Sequence, residues 1–120
     1  MPVLNGVFVD YAGNTTTYTT TAYGHPDLIG VYGMLPPIEG GDTNIAHSTV
    51  LELWDTWDWN NSNDWGWDFP WMAMAAARTG ETQIAVDALM DNSPENQYDN
   101  RGVCTAGICP AMAASCMPSR

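Results

Sequence analysis

The chain has 120 residues, 45% hydrophobic and 14% charged, which bounds it to one small globular domain or a piece of a larger one and excludes a disordered chain. Its formal net charge is −11, with no lysine and only Arg78, Arg101 and Arg120 as strong bases. Such a surface repels phosphate backbones and anionic lipid, so nucleic acid and membrane partners are excluded and a neutral ligand, a cation or a basic partner is favoured. No apolar run approaches the roughly 18 residues that a bilayer span needs.

The start, Met1-Pro2-Val3-Leu4-Asn5-Gly6, lacks the basic and apolar regions of a signal peptide and reads as though it began inside a domain. Residues 1–23 are rich in Thr, Gly and Tyr, and the run from Thr15 to Thr21 has strand-favouring residues without an apolar face. This predicts an irregular, extended surface segment. Leu28, Ile29, Val31, Tyr32 and Leu35 then fall at helical spacing, with Pro26 in the first turn and Pro36-Pro37 as the stop. Residues 38–41 read as a loop. Asp42 or Thr43 caps a second helix whose apolar positions are Ile45, Val50, Leu51, Leu53, Trp54 and Trp57.

Residues 59–67 are a polar, Asn-rich loop. Pro70 opens a third helix that runs to Arg78, closed by Gly80. A fourth covers residues 81–90, with Ile84, Ala85, Ala88 and Leu89 on one side, and Asp91-Asn92-Ser93-Pro94 ends it. The class is all-α. Short connections alternate with long ones, the pattern of helical hairpins whose long loops gather on one face and carry the site.

All six tryptophans fall between Trp54 and Trp71, interspersed with Asp55, Asp58, Asp64 and Asp68. Flat apolar faces beside carboxylates and amides suit a pyranose, whose C–H face stacks on indole while its hydroxyls hydrogen-bond. Low lysine with many Trp, Thr and Asn suits a secreted protein, and Asn14-Thr15-Thr16 and Asn60-Asn61-Ser62 match the glycosylation acceptor pattern.

Four strings carry a resemblance: Tyr23-Gly24-His25-Pro26-Asp27-Leu28, Trp65-Gly66-Trp67-Asp68-Phe69-Pro70, the Ala-Met-Ala-Ala-Ala-Arg-Thr-Gly run from Ala73 to Gly80, and Ala85-Val86-Asp87-Ala88-Leu89-Met90. Across residues 23–101 the chain resembles the six-hairpin glycosidases, (α/α)6-toroid proteins distantly akin to inverting α-L-fucosidases and maltose-phosphorylase-like enzymes. The Trp-Gly-Trp-Asp-Phe-Pro string is the specific part; the Ala-rich helix is not. The resemblance implies an incomplete toroid over residues 1–106, an extracellular setting, a carbohydrate substrate and hydrolysis of an α-linked glycoside without a cofactor. Lacking the flanking hairpins, the chain is expected to be marginally stable and inactive by itself.

Residues 107–120 depart from the family, which would continue into a Gly-rich turn and a buried helix, Tyr-Leu-Pro-Gly-Asn-Gly-Gly-Leu-Leu-Tyr-Ala-Val-Ala. Read one nucleotide earlier, the possible codons of this tail permit that string throughout, so a shifted reading frame is expected here. Cys109 and Cys116 then carry no disulfide or metal reading.

Inverting glycoside hydrolysis uses two carboxyls roughly 6.5–9.5 Å apart, one protonated and one ionised. Asp68, flanked in sequence by Trp65, Trp67, Phe69 and Trp71, is the first catalytic candidate, with Asp64 as its partner; a helix cap is the plainer role for Asp68. Trp59, Trp65 and Trp67 are candidate stacking platforms and Asp58 and His25 candidate sugar contacts, against the plainer readings of solvated acids and a turn-stabilising histidine. Trp54 and Trp57 fit the core, His47 a structural role, and Arg78 the end of its own helix. Asp58, Asn60, Ser62 and Asp64 take odd places of a calcium loop, but Asn63 replaces the required glycine and Phe69 the closing acid, so no metal is expected.

Overall fold

The computed structural model describes residues 1–35 and 41–103; the expected Pro36-Pro37 stop, most of the following loop and the tail over residues 107–120, where a shifted frame is expected, lie outside them. The chain is mostly helical with one small two-stranded sheet, in agreement with the all-α class.

The N-terminal segment differs from the extended strip expected. Val3–Leu4 (β1) and Val7–Phe8 (β2) pair antiparallel, Val3 opposite Phe8 and Leu4 opposite Val7. Asn5 and Gly6 join them with φ of 51° and 85°, the left-handed pair a two-residue hairpin turn requires. The signal was in the sequence: Asn-Gly between two apolar pairs. The threonine run forms turns rather than an extended strip. Asn14 and Thr17 are buried there: the Asn14 side chain accepts from the Thr16 N–H (2.8 Å), while the Thr17 hydroxyl donates to Asp10 (3.2 Å). One bond ties the hairpin to Thr49 and another to the threonine-rich turns. The Phe8 N–H donates to the Thr49 hydroxyl (2.9 Å), and the Tyr18 hydroxyl to the Phe8 carbonyl (2.5 Å).

A 3-10 turn over Asp27–Ile29 leads into a single α-turn, α1 (Gly30–Gly33). Helix α2 (Thr43–Thr56) is capped by Asp42, whose carboxylate accepts the N–H groups of Asn44 and Ile45 (3.0 and 3.2 Å). It buries Ala46, Thr49, Val50 and Leu53, at spacings of three and four; Leu51, grouped with the apolar positions from sequence, is 40% exposed. Helix α3 (Asp68–Thr79) begins two residues before Pro70 and ends at Gly80, whose φ of 94° is the left-handed stop that a side chain would strain. Helix α4 (Thr82–Met90) buries only Ala85 and Ala88, and Leu89, expected on its inner side, is exposed.

The core joins Leu28, Ile29, Val50, Leu53, Phe69 and Met72, with alanines of α3 and α4 letting those two helices approach. Gly30 and Gly33 admit the Trp71 ring: a Cβ on Gly33 would stand 1.9 Å from its Cδ1. Arg78 does not serve its own helix end. Its guanidinium donates to the carbonyls of Tyr32 (2.6 Å), Gly33 (3.0 Å) and Leu35 (2.7 Å), satisfying the open end of α1. His47 has the structural contact expected, a 2.6 Å bond to Glu81 that ties α2 to the α3–α4 connection.

Candidate functional site

The turn at Tyr23-Gly24-His25-Pro26 meets the tryptophan-rich connection between α2 and α3. Gly24 has φ of 78°, which favours glycine, and both of its backbone groups are held from the opposite strand of chain. Its N–H donates to Asp64 Oδ1 (2.9 Å), and its carbonyl accepts the Trp57 indole N–H (2.8 Å). That grip presents His25 to the start of α3.

His25 Nδ1 lies 3.0 and 3.1 Å from the two oxygens of Asp68. Asp68 has no exposed surface, whereas the His25 side chain keeps 31% of its own. The same carboxyl accepts the Trp65 N–H (2.7 Å), so the first helical residue ties down the loop before it rather than capping α3. When Asp68 is ionised it only accepts, and Nδ1 is then the donor; Nε2 has no partner among the described residues. The imidazole sits between two indoles. It meets Trp65 edge-on at 4.6 Å and Trp67 at 4.8 Å with a 32° tilt, and Trp71 backs Trp67 in a stack at 5.1 Å. Trp65 and Trp67 are each half-buried, and Trp67 is held between His25 and Trp71.

Asp64 is also wholly buried. Burial pushes its carboxyl up to about 7, the negative charge of Asp68 adds to this, and the Gly24 N–H opposes it. Its Oδ2 has no hydrogen-bond partner among the described residues. Burial raises Asp68 as well, against the pull of the Trp65 N–H and His25. Two carboxyls held above their ordinary range thus lie under one turn, beside one histidine and two half-open indoles.

Of the residues proposed from sequence, the fold brings together His25, Asp64, Asp68, Trp65 and Trp67. Trp59 it places elsewhere: 7% exposed, it packs against Phe69 and Trp54, both at 5.7 Å, and offers no free face for stacking. The loop folds back because Trp57 and Trp59 both turn inward beside α2. Asp58 is exposed and bonds within its own loop, to Asn61 Nδ2 (3.2 Å), leaving no contact with the histidine. Trp57 is in the core as expected, and Trp54 only half so. Sequence reasoning missed Gly24, Trp57 as the lock on its carbonyl, and Trp71 as the backing for Trp67. A glycine before His-Pro was the available signal for the first; the other two needed the fold. Among the described residues no three His, Cys, Asp or Glu side chains gather as a metal site would require. Comparison with protein-family models, with curated proteins and with solved structures finds no match to this chain.

Proposed function

We propose that this chain carries part of a saccharide-processing site of a secreted, six-hairpin glycosidase-like protein, whose complete toroid hydrolyses an α-linked glycoside through paired carboxyls. The observation that carries the reading is His25, seated between Trp65 and Trp67 on the buried Asp68, with the second buried carboxyl of Asp64 under the same turn. The half-buried Trp65, which has only edge-type ring contacts, supplies stacking for a sugar ring. A carboxyl near 7, such as Asp64, is partly protonated at neutral pH, as a general acid must be. The hairpin of α3 and α4, with its short connection and indole-bearing long loop, fits one unit of such a ring.

Hydrolysis needs an acid touching the glycosidic oxygen and a carboxylate activating water on the other face of the sugar. Asp64 and Asp68 have no exposed surface, so this chain alone stacks a sugar without cleaving it. That same enclosure favours a second reading, non-catalytic carbohydrate binding, in which the carboxyls only orient His25 and the turn.

Turnover of nitrophenyl α-glycosides and sugar-induced tryptophan fluorescence, measured on the chain and on a form extended by flanking hairpins, separate the two. Turnover by the extended form that Asp68→Asn abolishes, with binding retained, supports the hydrolase. Saturable fluorescence change without turnover in either form supports binding alone. Absence of both rejects the saccharide reading.

A further inference from the structure

A second cleft, of about 470 Å³, opens where the end of α2 and the tryptophan-rich connection meet the C-terminal end of α4. Trp54, Asn60, Asp87, Met90, Asp91 and Asn92 line it, with Ser93 at the base of the last turn. None of the residues around His25 reaches it. Its volume falls in the range of small-ligand sites, roughly 300–1,000 Å³.

Each wall contributes a different chemistry. The Trp54 indole is half-buried and meets Trp59 at 5.7 Å between ring centroids with a 42° tilt. It packs against the hydrophobic core. Asp87 and Asp91, four residues apart, each commit one oxygen: Asp87 Oδ1 accepts from Gln83 Nε2 (2.8 Å) and Asp91 Oδ1 from the Ser93 N–H (2.7 Å). Their Oδ2 atoms have no partner among the described residues, nor do the side-chain amides of Asn60 and Asn92.

That inventory discriminates between ligands. An anion is repelled by two carboxylates with no Arg or Lys among the lining residues. An organic cation would use the indole and the carboxylates but leave the amide N–H donors of Asn60 and Asn92 idle. A neutral saccharide uses every group: a C–H face on Trp54, hydroxyl hydrogens donated to the free Oδ2 atoms, and hydroxyl oxygens accepting from the two amides.

We propose that this cleft is a binding subsite for a neutral saccharide, built on Trp54 and the end of α4. It extends the saccharide reading to a second set of residues and does not depend on His25, Asp64 or Asp68.

The test is an NMR titration of the full, ¹⁵N-labelled chain, whose six tryptophans give one indole N–H signal each. The probes are maltotriose, isomaltotriose and methyl α-L-fucoside, with choline as the cationic control. At least one saccharide shifts the Trp54 indole and the Asn60 and Asn92 amide signals saturably, and choline does not. Joint replacement of the exposed Asn60 and Asn92 by alanine weakens that saccharide about tenfold, as the loss of two hydrogen bonds implies. A Trp54 signal unmoved by all three sugars overturns the proposal, and so does one moved by choline alone. Shifts confined to Trp65 and Trp67 overturn it while leaving the His25 site standing. Shifts confined to Trp54 do the reverse.

Discussion

Helices α3 and α4 are joined through only residues 80 and 81, yet their surroundings are opposite. Helix α3 buries Asp68, Phe69, Trp71, Met72, Ala73, Ala75 and Ala76. Helix α4 is as apolar as α3 by composition, but it buries two alanines and leaves Val86 and Leu89 at 50% and 52% exposure. Burial here follows neighbours, not hydrophobicity. Helix α3 has α1 and α2 on one side and α4 on another; the outer face of α4 has nothing comparable among the described residues. Under the toroid reading that face belongs against a further hairpin. The same contrast separates the two candidate sites, one enclosed under a turn and one open at the end of α4.

The sharpest way to break the comparison is a matched pair of truncations. Phe69→Ala removes a side chain with no exposed surface and costs about 3–5 kcal/mol. Leu89→Ala, on the open face, stays within about 0.5 kcal/mol. Urea unfolding followed by tryptophan emission measures both, and a Leu89→Ala loss of about 2 kcal/mol or more would mean that α4 is covered in solution.

A smaller effect is expected at the α1–α3 contact. A Cβ on Gly33 meets Trp71 Cδ1 at 1.9 Å and its carbonyl oxygen at 2.9 Å, so backbone as well as ring must move. Gly33→Ala therefore costs about 1–3 kcal/mol, with an altered indole environment visible in near-ultraviolet circular dichroism. A neutral outcome would show that α1 does not clamp Trp71.

The gentlest probe is pH. Burial raises Asp64 from the ordinary 3.8 to about 7 in the folded chain, so between those values the unfolded chain ionises while the folded one resists. Stability from this group is complete below about pH 4 and declines as pH rises through about 7, and the upward shift of Asp68 acts in the same direction. The melting temperature thus falls from pH 4 to pH 8. Asp64→Asn keeps an acceptor for the Gly24 N–H, flattens that fall and raises the melting temperature at pH 8. An unchanged slope in the variant would show that Asp64 is not the buried titrating group.

Much of this architecture was legible in the residues. The spacing of Ile45, Val50 and Leu53 marked α2, Asp42 or Thr43 marked its start, and Gly80 marked the end of α3. These are local signals, set by backbone dihedrals and unpaired N–H groups within a turn of the chain. The Asn5-Gly6 hairpin is equally local, a left-handed pair of residues between two apolar pairs, and lies within the segment expected to be extended. His25, Asp64, Asp68, Trp65 and Trp67 were singled out by residue type, and their meeting was not readable, since 43 residues separate His25 from Asp68.

What the sequence by itself determined was the class of the chain and the chemistry it carries: helices at regular spacing, indoles among acids, and a surface hostile to anions. Which indoles face inward was decided only by the tertiary structure. Trp59 and Trp65 stand in the same loop with similar neighbours, yet one is core and the other half-open. The difference arises because Phe69 lies against Trp59 and His25 against Trp65, contacts made by helix packing and by a turn held on Asp64 and Trp57. An amphipathic ring gains free energy in either setting, so its own chemistry does not choose between them, and the chain distant in sequence does.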